Sequence, residues 1–437
     1  MTGVTGVVMA EDAVVVGGGP GGMRAAAALA LSGRRVTLLQ EGPHVGGYAH
    51  PDIPLSRGVT PAVGPLAEQL YGPMRPVEGL DRGIHIDGRT HLLPLGRAEI
   101  ARLVPATQAA SAAMAWGRTR GTIELRKIIG GGSELRTYRD WVAQRFGEPV
   151  FERFYAAYCQ ARFGPPGEIS CNVARVFHGT VAEGPVYAPA GGPTLATTGF
   201  DVRTDVVIRS VQGGQVDTDD GIFTGEVFLD IAPRRVAAWL GDAATPSLVN
   251  DVGFLTARNA LQVLVRGPQN GADLPVETHV LGGAPFYRIM RPAAIPGCAA
   301  LDGWLCVHYA LDEGDPLWLA DDAVVAARTV DSLAAIGIAG ASADGARVQR
   351  IRDHHPSWTG THLVRMRRYL IALEDLELVP VGRAGLHAPL ELAAETAYLE
   401  GLLLPERPTL RALLRHHVEP PVLDSVDRAH LTRFVER

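Results

Sequence analysis

The chain has 437 residues, of which 46% are hydrophobic and 20% charged, with a formal net charge of −6. That length exceeds one compact core and predicts two globular units. The mild acidity excludes a basic nucleic-acid footprint and a polybasic lipid-binding segment, so a small molecule is the expected partner.

Taken in chain order, Val14 to Val16 is a β-branched run ending in glycines, Pro20 to Leu31 has helical composition, and Val36 to Leu39 is a second apolar run after Gly33. These three pieces predict a βαβ unit. Two short runs between Ile84 and Leu93 flank Asp87-Gly88 and predict a hairpin, and the alanine-rich stretch from Arg97 to Trp116 predicts a helix. Residues 137–164 place Trp141, Phe146, Val150, Phe154 and Tyr158 at roughly helical spacing, with Gly147 breaking the segment in two. Trp141 and Phe154 read as core residues, with a substrate cage as the alternative.

From Val202 to Ile231 the pattern is strand-like, interrupted at Gly213-Gly214 and Asp219-Asp220-Gly221. Leu261 to Val265, His279 to Leu281, Phe286 to Met290 and Trp304 to Tyr309 predict a second sheet, and Leu317 to Ile336 a helix. A final strand, Glu377 to Val381, leads through Gly382 to Ala388 into a helix beginning near Pro389. Cys159, Cys171, Cys298 and Cys306 form no CxxC pair and no His/Cys metal spacing, so they read as buried thiols with no metal. No apolar run has the length of a bilayer span and no secretory signal is evident, so no transmembrane segment and a cytoplasmic location are expected.

Gly17, Gly19 and Gly22 form GxGxxG directly after a strand and before a helix, the context of a dinucleotide-binding turn. Pro20 and Gly21 lie in the first helical turn, where Pro20's missing N–H is no loss and the free amides favour phosphate. The acidic residue expected about 20 residues on, to accept from a ribose, falls on Gln40 in register. Glu41 is next, and strand alternation turns it away unless the strand ends early.

The stretch "VTLLQEGPHVGGYAH" resembles the second strand and double-glycine loop of FAD-dependent oxidoreductases in the superfamily of protoporphyrinogen oxidase, monoamine oxidase, carotenoid desaturases and UDP-galactopyranose mutase. "YRDWVAQRFGEPVFERFYAAYCQARFG", "PAGG" at 189–192, "FYRIMRP" at 286–292 and "VGRAGLHAPLELAAETAYLEG" at 381–401 resemble the same superfamily in the same order. The resemblance implies FAD, with Gly46, Gly47 and Tyr48 beside the flavin, the turn carrying Arg383 and His387 at its pyrimidine end, and Val207 in backbone contact with adenine. It implies an α/β fold: a Rossmann-like FAD-binding domain built from the discontinuous segments 12–60, 180–250 and 345–404, plus a mixed α+β substrate domain from 61–179 and 251–344. Residues 405–437 are left as a C-terminal tail.

A flavin accepts the hydride itself, so few catalytic side chains are needed. His355, just before Pro356, lies where the superfamily places an aromatic residue beside the flavin and reads as a general base or as a structural strand-end histidine. Arg288 pairs either with a substrate carboxylate or phosphate or with a surface acid. Tyr187, Phe286 and His354 complete the candidates. No lysine follows Lys127, which turns the resemblance away from the monoamine-oxidase branch. Ala388 to Glu391 lacks the tyrosine of mutase-like members. The layout leans to the protoporphyrinogen-oxidase-like group and implies oxidation of a C–N or C–C bond in a small organic substrate. Two other readings stand beside it: a flavin-dependent mutase or isomerase without net redox change, and a nucleotide-binding scaffold that has lost FAD.

Overall fold

Ala13 to Val16 has no polar position, as a strand covered on both faces requires, and all four residues are buried. They form the centre of the first of two large sheets in the computed structural model. The structure describes residues 8–46, 72–77, 81–93, 99, 102–104, 106–110, 114, 117–118, 137–178, 186–189, 199–268, 274–294, 298–360, 362–387, 399 and 402–403.

The strands among these are β1 (Val8–Val16), β2 (Val36–Leu39), β3 (Met74–Val77), β4 (Arg82–Ile86), β5 (Arg89–Leu92), β6 (Val186–Pro189), β7 (Asp201–Arg203), β8 (Ile208–Gln212), β9 (Gln215–Thr218), β10 (Ile222–Leu229), β11 (Ala257–Arg266), β12 (Glu277–Val280), β13 (Arg288–Met290), β14 (Trp304–Leu311), β15 (Ser342–Pro356) and β16 (Leu378–Pro380). The first sheet runs β7-β2-β1-β10-β9-β8, with β16 also on β10. Its β7, β2, β1, β10 and β16 are parallel, and β8, β9 and the start of β10 form an antiparallel meander. The helix Pro20–Leu31 lies against this sheet with Met23 and Ala25 to Leu29 buried. Alanines let a helix approach a sheet closely, and the larger Leu38 and Leu39 contribute about 1.5–3 kcal/mol each by burial.

The second sheet runs β15-β11-β14-β13-β12-β4-β5. Side chains alternate along its strands. One face carries Leu261, Val263, Val265, Val307 and Tyr309, packed with Val325 and Leu333 of the helix Asp322–Ala335. Phe286 belongs to this core, edge-on to Tyr309 at 5.5 Å. The other face carries Gln262, His308 and their neighbours. Trp141 is 1% exposed, and Phe154 packs against Ile84, Ile86 and Leu103, so both are core residues.

Several expected elements differ in extent. The expected strand 377–381 is Leu378–Pro380, because Glu377 adopts a positive φ of 57°. The expected helix 317–336 divides into Pro316–Leu319 and Asp322–Ala335, since Ala320 and Asp321 are extended. The expected boundary at residue 345 falls inside β15, which pairs with β11 in the second sheet. The helices expected over 97–116 and from Pro389 lie largely outside the described residues. All four cysteines are buried and free. No described helix is long and apolar enough to cross a membrane.

β15 contains the irregularity that matters most for the site. Arg258 pairs with His355 and Ala260 with Ile351, so residues 352–354 oppose Asn259 alone. Asp353 takes φ 53° in this bulge, and its N–H donates to Asn259 Oδ1 at 3.0 Å. Bulges re-aim side chains, and this one brings the rings of consecutive His354 and His355 to 4.5 Å instead of opposite faces. Asn259→Ala leaves the Asp353 N–H without its acceptor. We expect a loss of about 1–3 kcal/mol, read as a lowered urea midpoint with an unchanged slope.

Candidate functional site

Open α/β sheets bind ligands beyond the carboxyl ends of their strands. Here β2, β1, β10 and β16 end at Leu39, Val16, Leu229 and Pro380. Gly17 N–H donates to Leu39 O, Asp230 N–H to Val16 O and Val381 N–H to Leu229 O, each at 2.9 Å. Gly17 turns at φ 105°, where a side chain is strained. The helix that follows has Gly19 as N-cap and no side-chain cap, so its first turn keeps partial positive charge for an anion.

Asp230 partly replaces the missing cap from another strand: its Oδ2 accepts from Gly22 N–H at 2.8 Å. The carboxylate is buried and sits between two glycine turns. A Cβ on Gly21 would lie 2.4 Å from Gly382 Cα, and one on Gly382 would lie 2.3 Å from Asp230 Oδ1. The two backbones meet only because both positions are glycine.

Gln40 accepts from Gly18 N–H through Oε1 at 2.7 Å, so the side chain at the ribose position also braces the glycine turn. Glu41 forms an ion pair with Arg235 on the helix Pro233–Leu240. Burial raises the Glu41 pKa, and Arg235 opposes that rise. Gly46 N–H donates to Gly18 O at 2.7 Å, bringing the loop alongside the same turn. Gly47 and Tyr48 lie outside the described residues. Val207 is exposed, and its N–H and C=O both bond to Asp219, at 2.7 and 3.1 Å.

Arg383 stands half-buried in the short helix Gly382–Gly385 beside Gly382, and its charge reaches both His354 and His355. Burial holds both histidines well below the usual imidazole range. For His355 the neighbouring His354 adds to this, and Arg162, Arg288 and Arg383 depress both further. His355 Nε2 lies 3.4 Å from the Tyr287 hydroxyl. The Arg162 and Arg288 guanidiniums lie 5.2 and 5.6 Å from the Tyr287 ring centroid. The expected Arg383, His355 and Arg288 are thus gathered around one region. Tyr187 lies on β6, but its side chain is outside the described residues.

His387 is buried at φ 47°, and its carbonyl accepts from Trp358 Nε1 at 3.3 Å. It lines a cleft of about 200 Å³ together with Arg234, Asn259, Arg352 and Asp353. Trp358 stacks on His362 at 4.6 Å.

The sequence places Tyr158 on a helical face and His279 at the start of a strand without pointing either to the site, and it does not single out Asp230, Arg162, Glu277 or His308. Gln262 and His308 are single polar residues inside apolar strands, a signal visible in "ALQVLV" and "LCVHYA". Among the described residues no group of three or more His, Cys, Asp and Glu side chains has the arrangement of a metal site.

The family model of the NAD(P)-binding Rossmann-like domain matches residues 15–65. A putative protoporphyrinogen oxidase from an Exiguobacterium species superposes with a TM-score of 0.60 at 18% identity, covering 92% of this chain and 100% of that one. Reduced UDP-galactopyranose mutase gives 0.67 at 12% identity, covering 93% and 98%. The chain thus shares its fold with these two structures. A putrescine oxidase redesigned in its cofactor binding shares it, with a TM-score of 0.53 at 13% identity over 86% and 93% of the two chains. No curated protein matches the sequence.

The glycine turn fits the dinucleotide of this fold. A Cβ on Gly19 would lie 2.8 Å from Asp230 Oδ2, so the turn packs against that carboxylate only as glycine. Asp230→Ala removes the acceptor of a buried N–H. We expect it to lower stability by about 1–3 kcal/mol in chemical denaturation, whereas Asp230→Asn, which keeps an acceptor oxygen, loses less.

A pH effect follows from the two histidines beside Trp358. Burial pushes the His387 pKa down to about 3 and that of His362 to about 4, whereas both take a proton near pH 6.5 when unfolded. The unfolded state therefore binds more protons below pH 6.5, and stability falls with pH by about 1.4 kcal/mol per pH unit for each histidine. The urea midpoint should drop from pH 7 to pH 5, and His362→Asn should make that drop shallower.

Proposed function

We propose that the protein is an FAD-dependent oxidoreductase that removes hydride from a C–N or C–C bond of a small organic substrate. One observation supports this reading: Asp230 lies between the glycine turn and the Gly382 turn that carries Arg383, and the charges of Arg383 and Arg288 both act on His355. When bound, FAD supplies the hydride acceptor.

The turn Gly17 to Gly22 takes the pyrophosphate on the Gly19 and Gly21 amides at the start of the helix, where Pro20 adds no N–H and the Gly17 and Gly22 amides are donated to Leu39 O and Asp230 Oδ2. Gln40 offers the ribose a neutral side chain, weaker than the usual carboxylate. Gly46 keeps the flavin approach open, and Arg383 places a positive charge at the pyrimidine end. Burial and the positive groups around it hold His355 neutral, so its imidazole offers the substrate a hydrogen-bond acceptor, while the same surroundings weaken it as a general base. Tyr287, 3.4 Å away, orients that ring. Arg288 is fixed by Glu277 at 3.2 Å and positions the substrate.

The decisive experiment is reconstitution with FAD followed by a visible spectrum. Bound flavin bands that bleach on anaerobic addition of substrate candidates support the reading, and failure to take up FAD removes it. Activity confined to the reduced form, with no acceptor consumed, identifies a mutase instead. Arg383→Leu should lower the flavin midpoint potential, by about 30 mV for each 1.4 kcal/mol of lost differential stabilisation in a two-electron couple. Gln40→Glu should tighten FAD binding severalfold, measured by fluorescence titration.

A further inference from the structure

The cleft beside His387 is lined by several charged side chains, and one of them is left over after the others have paired. Asp312 pairs with Arg258 at 3.2 Å and Glu313 with Arg352 at 2.9 Å. Asp353 lines the same cleft, and its carboxylate makes no ion pair or hydrogen bond with any described residue. Burial raises its pKa, Glu313 adds to the rise, and Arg234, Arg235 and Arg352 oppose it. The carboxylate thus lies within the influence of three arginines yet pairs with none. A carboxylate partly removed from water is unfavourable without a partner.

Neutral groups of the cleft are unsatisfied as well. Asn259 is 5% exposed, and its Oδ1 accepts from Asp353 N–H at 3.0 Å, which leaves its Nδ2 without a hydrogen bond to a described residue. His387 is 1% exposed, and its Nε2 has no hydrogen-bond partner among the described residues. Arg234, in the first turn of the helix Pro233–Leu240, donates through Nη2 to Gly253 O at 2.8 Å and has no acid partner among the described residues. Its charge acts on both Asp353 and His387, so the three groups border one space. The described lining includes none of Tyr287, Arg288, His355 and Arg383, so this cleft is not the region around His355.

We propose that this cleft binds a small zwitterion of the amino acid class, with its ammonium on Asp353 and its carboxylate on Arg234 and the Asn259 amide. A carboxylate and a guanidinium that line one cleft without meeting complement a ligand that carries both charges, and the planar fork of arginine suits a carboxylate. His387 Nε2 is available for a further hydrogen bond. The volume of about 200 Å³ is below the roughly 300–1,000 Å³ of sites for drug-sized ligands, which limits the occupant to a few atoms beyond its two charged groups. Gly253 O holds Arg234 and Asn259 holds the Asp353 backbone, so little freedom is lost when the ligand binds. The proposal is independent of the oxidoreductase reading, because neither the glycine turn nor a flavin takes part in it.

The test is ligand-detected NMR titration of the full-length protein with L-alanine, L-valine and L-glutamine, and, for the tightest of them, with the amine and the acid that remain when one charged group is removed. We expect saturable binding of at least one amino acid, with the amine and the acid each at least tenfold weaker. Asp353→Asn, whose side chain tolerates the positive φ, and Arg234→Met should each weaken the amino acid at least tenfold. The first should leave the acid's affinity unchanged, and the second that of the amine. Arg139→Met, at an exposed pair with Glu148, should change none of them. No saturable binding, which would leave water alone between the charges, equal affinity for the single-charge fragments, or unchanged affinity in both variants overturns the proposal. Thermal melts check that the variants fold, and the comparison of the amino acid with its fragments in the unmodified protein needs no variant. Protein that binds the amino acid without taking up FAD fails the oxidoreductase reading alone, and protein that takes up FAD without binding an amino acid fails this one alone.

Discussion

The crevice at the carboxyl ends of the first sheet depends on one contact between backbones that only glycine permits. Gly21, at the start of the first helix, and Gly382, after the last described strand, come so near that a methyl group on either would collide with the other turn or with Asp230. The Asp230 carboxylate sits in that junction and accepts from Gly22 N–H. Strand pairing brings the elements to the same edge, but this junction fixes the distance between the phosphate end of the crevice and the Arg383 end. The second sheet is placed relative to the same junction, because the helix carrying Arg383 also contacts β15.

The sequence made the centre of the first sheet legible because strands covered on both faces contain no polar positions, and because Gly17 and Gly33 mark the ends of the runs. The Gln40 position could also be counted from the glycine turn. Its bond to Gly18 could not, since it depends on how a neutral side chain folds back over 22 residues. Asp230 was hidden for a similar reason: an acid just after an apolar strand reads as a turn residue until its two glycine neighbours are known. The His354–His355 pair was visible as a motif, but the bulge that aims both rings together depends on Asn259, 94 residues earlier. Alternation alone would have sent the two side chains to opposite faces.

The second sheet buries an apolar core on one face, while the other carries the Gln262–His308 row beside the apolar cluster of Leu264, Met290, Trp304 and Cys306. Leu261, Val263 and Val265 build the apolar core, while the intervening Gln262 contributes to the polar wall. A register slip of one residue would exchange the two faces. His354 and His355 add hydrogen-bonding groups without adding charge, because burial and the nearby arginines hold their pKa values well below the usual imidazole range. Positive charge at the wall consequently comes from arginine, whose protonation does not change over the biological pH range.

The distance along the chain between the parts of the junction also shapes how the protein matures. Gly22 and Asp230 are 208 residues apart, and Gly382 emerges from the ribosome later still. Contacts of such long range close slowly. A nascent chain holding only the first βαβ unit exposes its glycine turn without Asp230 or the Gly382 turn behind it. The junction between the two glycine turns is therefore complete only once the last described segments of the chain have been synthesised.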